Sequence, residues 1–233
     1  MRFNRSILAL AIALVLSGGV FAGGNDLTYE ITITNLTVAQ QFTPILAVAH
    51  RDSIGLFEAG EAASAELAAI AEAGDIEPML ALLGTVPNLV GGTAVNPGLL
   101  DAGATTTITL EAPRAFNRLS LASMLIPTND TFMAVDTVRL PRFGESVTYA
   151  LAYDAGSEPN DQSCANMPGP RCPGGVGLSP EPDEGDEGII VISNGFHDLG
   201  AVDENGAEVL GPVRYDWRNP VARVTIKRVR GSH

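Results

Sequence analysis

Apolar side chains recur at every second position in three widely separated stretches of the chain, and this spacing restricts the fold more than any other property. Tyr29, Ile31 and Ile33 point one way, with Glu30, Thr32 and Thr34 the other. Val147, Tyr149, Leu151 and Tyr153 share a face, and Ala222, Val224 and Ile226 oppose Arg223, Thr225 and Lys227. A strand places successive side chains on opposite faces, so each segment reads as a half-buried strand with a solvated face. Thr105–Ala112 and Phe116–Ile126 carry weaker strand signals, and Ile189–Ile192 is a continuous apolar run suited to a buried strand. Turn residues between the segments favour antiparallel pairing, and 233 residues suit one large sandwich. The expectation is an all-β fold, an antiparallel β-sandwich formed by a single domain over residues 23–233.

One region departs from this period. Glu58–Ala73 is rich in Ala and Glu, with Leu67 and Ile70 at helical spacing and Gly74 where a C-terminal cap belongs. A second short helix is expected over Met79–Leu83, closed by Gly84. Together they read as a short helical insertion covering one end of the sandwich. Residues 157–188 are dense in Pro, Gly, Asp and Glu and are expected to form a long irregular loop.

The first residues bear on location. Arg2 and Arg5 precede the apolar run Ile7–Leu16, followed by small residues ending at Ala22. This is the layout of a secretory signal peptide over residues 1–22. Ten helical residues rise about 15 Å, half of a bilayer core, so no membrane span is expected. The expected location is secreted or periplasmic. In that setting Cys164 and Cys172, eight positions apart in a Pro- and Gly-rich loop, are expected to form one local disulfide. A formal charge of −13 argues against nucleic-acid binding, because no basic stripe is available to displace counterions. His50 and His197 are isolated in sequence and read as ordinary hydrogen-bonded histidines before metal ligands.

The most informative geometry lies between Ile126 and Asn160. A strand Phe132–Leu140, turn residues Pro141–Gly144 and a strand Val147–Tyr153 make a hairpin in which paired residue numbers sum to about 285. Asp130 then falls opposite residue 155, beside Asp154, within roughly 5–8 Å. Carboxylates that close repel unless one is protonated or a cation lies between them. Glu158 can add a third set of oxygens, with Asn129, Asn160 and Asp161 as further oxygen donors. An all-oxygen anionic cluster suits Ca²⁺, while the bland alternative is a set of solvated acidic loop ends. An acid–base pair of the glycosidase kind needs a cleft, and nothing in the sequence indicates one. No G-x-S-x-G is present, so the chain is expected not to be an enzyme.

An ordered set of segments adds a resemblance. They are Tyr29–Ile33, Phe42–Ile45, Ala49–Arg51, Ala71–Gly74, Pro127–Phe132, Tyr153–Glu158 and Asp216–Ile226. In that order they resemble the spondin domain family, the N-terminal module of F-spondin and the body of mindin, with secreted bacterial relatives. The resemblance implies a C2-like β-sandwich with calcium bound in loops at one end. It assigns the metal ligands to Asp130, Asp154 and Glu158, with Glu158 standing where the family usually has Asp. Thr131 replaces an aromatic of the animal proteins, and Pro141 replaces a cysteine. Animal members recognise matrix, integrin or carbohydrate, and those partners do not transfer to this chain.

The expected function is therefore a secreted calcium-binding module for extracellular recognition or adhesion, with an extracellular protein or glycan as partner. The alternatives are a structural envelope or matrix protein with a calcium staple and, further off, a hydrolase. Three carboxylates in a flexible site suggest modest calcium affinity, roughly 10⁻⁴–10⁻³ M. Trp217 reads as a core edge residue beside the last strand before it reads as a sugar-stacking platform.

Overall fold

The computed structural model describes residues 26–177 and 186–229, so the leader expected over residues 1–22 lies outside the described residues. The strands are β1 (Asp26–Asn35), β2 (Gln41–Phe42), β3 (Ile45–His50), β4 (Val90–Asn96), β5 (Thr105–Pro113), β6 (Arg118–Ile126), β7 (Thr131–Arg139), β8 (Glu145–Asp154), β9 (Val191–Ile192) and β10 (Ala222–Val229). Helices are α1 (Ala65–Ala73), α2 (Glu77–Gly84) and α3 (Pro212–Tyr215). Every strand pairing is antiparallel. The fold is all-β with a short helical insertion.

The ladder runs β4-β3-β6-β7-β8-β10-β1-β5 and folds into two layers. In the first, β1 lies between β10 and β5, with Ile31 flanked by Ile226 and Ile108. The alternation read from the sequence accounts for this layer. Tyr29, Ile31, Ile33, Val224 and Ile226 face the core, while Thr32 and Thr34 form an outer ladder through hydroxyl contacts to Thr107 (3.0 Å) and Thr105 (2.9 Å). The second layer, β4-β3-β6-β7, is covered on both sides. Leu119, Leu121, Met133 and Val135 meet the first layer. Leu46, Val48, Ala122, Phe132 and Ala134 meet Leu67 and Ile70 of α1 and Met79 and Leu83 of α2. The helices therefore cover a sheet face and not an end of the sandwich, because β3, β6 and β7 present apolar residues on both sides.

β8 belongs to both layers. Its first half pairs with β10, up to Ala150↔Ala222, and its last residues pair with β7 in the register Thr131↔Asp154 to Ala134↔Leu151. These last pairs have the expected sum of 285, but nearer the turn β7 and β8 part company, so they are not one continuous hairpin. Such sheet-switching strands form the corners of sandwiches. At the far side β4 and β5 come close without a ladder. A Cβ on Gly92 would stand 2.1 Å from the carbonyl oxygen of Glu111, and Thr106 Oγ1 donates to Asn96 Oδ1 at 3.0 Å. The result is a nearly closed sandwich.

β8 reverses the expected polarity. Val147 and Tyr149 are exposed, whereas Ala150, Ala152 and Asp154 are buried. Small alanines fit the corner between two layers, and the bulky residues lie outside it. The run Ile189–Ile192 also differs from expectation. Only Val191 and Ile192 pair, along the end of β8 that β10 has left, and Ile192 is half exposed. Helix α1 starts at Ala65, not Glu58, because Ser64 caps it (Leu67 N–H to Ser64 Oγ, 3.2 Å). Gly74 does close α1 in the left-handed conformation (φ 66°). Gly84 is the last residue of α2, whose cap is Thr85. Cys164 and Cys172 are disulfide-bonded and pin the first part of the irregular stretch after β8. Trp217 is buried in the core against Phe196, as expected of a core edge residue.

Candidate functional site

Three loops converge where β7 begins and β8 ends. Thr128 shapes the first: its hydroxyl donates to the Leu125 carbonyl and accepts from the Thr131 N–H at 3.2 Å. The Asp130 carbonyl then accepts from the Ala155 N–H at 3.2 Å, placing Asp130 beside the turn that follows β8. That turn, Asp154–Glu158, offers three successive backbone donors. Gly156 N–H donates to Asp154 Oδ1 at 2.9 Å, and Ser157 and Glu158 N–H donate to Asp130 Oδ2 at 2.8 and 3.1 Å. One turn thus holds both carboxylates. Gly156 makes the turn possible: its φ is 65°, and a Cβ there would stand 2.4 Å from the Ile189 carbonyl oxygen.

Both aspartates are almost wholly buried, at 0% and 4% exposure. Among the described residues no lysine, arginine or histidine forms an ion pair with either. Burial raises the Asp130 pKa to about 7, and the neighbouring Asp154 charge and then Glu187 add to the rise against the two amide bonds. Burial also raises Asp154 to about 6; the Asn160 hydrogen bond opposes this and Glu187 reinforces it. Asp130 Oδ1 is buried without a hydrogen-bond partner among the described residues. An orphaned buried carboxylate oxygen is costly, and a proton or a cation relieves that cost.

Asp130 and Asp154 are therefore brought together. Glu158 is buried beside them and contributes its backbone N–H to Asp130. Among the described residues no three His, Cys, Asp or Glu side chains form a ready metal-holding group, so the expected carboxylate triple is not preassembled. The other expected oxygen donors have separate tasks. Asn129 donates to Asp161 Oδ1 (2.9 Å) and accepts from Gln162 N–H (3.1 Å), tying the loop before β7 to the loop after β8. Asn160 Nδ2 bridges Asp154 Oδ2 (2.7 Å) and Glu187 Oε1 (3.0 Å).

Two contributors were not anticipated. Glu187 returns from the far end of the long loop to face the two aspartates. Gln162, at φ 56°, uses its side chain to hold the Leu210 and His197 carbonyls at 2.7 and 2.8 Å. The only signal for Glu187 was its place in an acidic run, since no periodicity links it to Asp154; nothing marked Gln162.

The histidines stand apart from this cluster. His50 is buried with Nδ1 2.8 Å from the Arg51 carbonyl and Nε2 2.9 Å from Ser120 Oγ. Ser120 is itself fully buried beneath the helical layer. His197 is exposed, and its described hydrogen bonds run through its backbone to Gln162.

The structure is thus an antiparallel two-layer sandwich with two buried aspartates in the loops at one end. The family model described as Spondin_N matches residues 33–165, more than half of the chain, and the chain belongs to that family. Asp130, Asp154 and Glu158 lie inside the matched span, while β10 and the Asp216–Ile226 segment lie beyond it. No curated protein matches the chain. Among the described residues no helix is long and apolar enough to cross a membrane.

Proposed function

We propose that this spondin-type module is secreted and binds Ca²⁺ between Asp130 and Asp154, and that the ion orders the loops of an extracellular recognition or adhesion surface. One observation carries the reading: two buried carboxylates are held by a single turn, and among the described residues Asp130 Oδ1 has no hydrogen-bond partner and no cationic side chain is paired to either. The donor set is all oxygen, which fits a hard cation of irregular coordination. Asp130 and Asp154 would hold the ion directly. Glu158, or Glu187 through the Asn160 bridge, would complete the shell by a small loop adjustment. Bound Ca²⁺ supplies the positive charge that lets both aspartates stay ionised in the dry loop junction. Family membership and the signal-like leader support secretion.

The depth of the pair favours a second reading, in which the ion is a structural staple and a partner never touches it. Two measurements separate these. Calcium titration by calorimetry should give heats that vanish in Asp154→Ala; equal heats for both proteins would overturn calcium binding here. An array of glycans and matrix proteins probed with and without chelator then distinguishes calcium-dependent capture, expected of recognition, from a stability change alone, expected of the staple.

A further inference from the structure

At the opposite end of β7 and β8, on the order of 25 Å from the aspartates, the sandwich is open and its charge reverses. A cavity of about 270 Å³ lies there, lined by Arg114 of the β5–β6 connection, Arg142 of the β7–β8 connection and Arg228 near the end of β10. The chain has only 14 Lys and Arg against 27 Asp and Glu, yet three arginines meet at this hollow and, among the described residues, no acidic one lines it. Among the described residues none of the three forms a salt bridge.

Arg228 is the most informative. It pairs with Tyr29 and follows Val224 and Ile226 on the face of β10 that builds the core. A half-buried position on the core-facing side of the strand carries a guanidinium that has no carboxylate partner among the described residues, an arrangement that suits an anion from outside. The group is also held in place. It donates to the Arg142 carbonyl and stacks 5.6 Å from the Phe143 ring.

Tyr29, buried across from it, has no described hydrogen bond at its hydroxyl. Burial raises its pKa despite Arg228 and Arg114, so it stays a neutral donor facing the cavity. Leu27, Leu140 and Phe143 supply an apolar wall beside these donors. A second hollow of about 440 Å³ adjoins it across Phe143 and Arg228, leaving room for a ligand to extend outward.

We infer that this cavity is a second ligand site, distinct from the aspartate loops, for a small oxyanion ester: a phosphate or sulfate head on the arginines and a ring or apolar body against Leu27, Leu140 and Phe143. The volume is close to the lower end of the roughly 300–1,000 Å³ of small-molecule sites, which suits a body of one ring. Planar guanidinium groups bind tetrahedral oxyanions through paired N–H donors, and the Tyr29 hydroxyl adds a further donor.

Calorimetry on the full chain, with chelator present so that calcium plays no part, tests this with phenyl phosphate, phenyl sulfate, inorganic phosphate and phenol. At least one ester should bind about tenfold or more tighter than both inorganic phosphate and phenol. Whichever ester binds tighter identifies the natural head group as phosphate or sulfate. Arg228→Gln and Arg114→Gln should each weaken that binding about tenfold, and Arg223→Gln on the outer sheet face should leave it within about twofold. Tyr29→Phe, which keeps the ring in the core, should weaken it severalfold and serves if an arginine variant fails to fold. No binding of either ester, ester binding no tighter than that of inorganic phosphate, or equal losses in Arg223→Gln and Arg228→Gln would overturn the site.

Discussion

At the scale of single residues the molecule is governed by an uncompensated pair. Asp130 and Asp154 are removed from water and accept hydrogen bonds from one turn; burial raises both pKa values, and the Asp154 charge raises that of Asp130 further. An unfolded carboxyl titrates near 3.9, whereas the native metal-free pair is raised to about 7 and about 6. Between those limits the native state holds more protons than the unfolded one, so stability falls as pH rises. The chelated protein should therefore melt at a higher temperature at pH 5 than at pH 8, as thermal unfolding would show. Saturating calcium should shrink that difference, since a divalent ion replaces the protons. Asp130→Asn should flatten the chelated profile and abolish the calcium response together. An unchanged profile in that variant would place the titration elsewhere.

The same scale shows what the sequence could and could not disclose about the site. Counting along two strands was enough to bring Asp130 to Asp154, because strand register converts sequence separation into position. It could not orient Glu158, whose main chain serves Asp130, nor find Glu187, which reaches the cluster through an irregular loop with no repeat to count.

At the scale of elements, legibility followed periodicity. β1, β5 and β10 alternate because one face meets water, and they stand where the pattern placed them. β3 is buried throughout, so it carries no alternation and left no signal. β4 begins Val90-Gly91-Gly92, a composition poor for strands that β3 pairing and the close passage of β5 nevertheless impose. β8 was legible as a strand but not in its polarity, since alanine fills its tight interior.

Two close backbone approaches, at Gly156 and Gly92, separate the elements experimentally. Gly156→Ala puts a Cβ at positive φ and against Ile189, and should cost about 1–3 kcal/mol while also weakening calcium binding. Gly92→Ala forces β5 from β4 and should destabilise by a similar amount while leaving the calcium heats intact. Denaturant unfolding combined with calcium titration of both variants checks the contrast.

At the scale of the whole molecule the expected staples are modest and separable. At 1 mM calcium, an affinity of roughly 10⁻⁴–10⁻³ M adds about 0.4–1.4 kcal/mol to stability. Reduction of Cys164–Cys172, a short closed loop, should remove roughly 2–3 kcal/mol. Melting with and without reductant, each with and without chelator, should show the two losses adding if the loops act independently. The charge distribution matters at this scale too: the aspartate loops and the arginine-lined hollow occupy opposite poles of a strongly acidic protein.

β8 answers to two neighbours along its length, and this limits how its gene can change. Losing or gaining one codon between Glu145 and Asp154 would turn side chains over in both layers at once. Ala150 and Ala152 would leave the interior, and Asp154 would swing out of its turn. Ten consecutive codons should therefore tolerate substitution far better than insertion or deletion, which a deep indel scan of the gene would reveal as a sharply bounded gap.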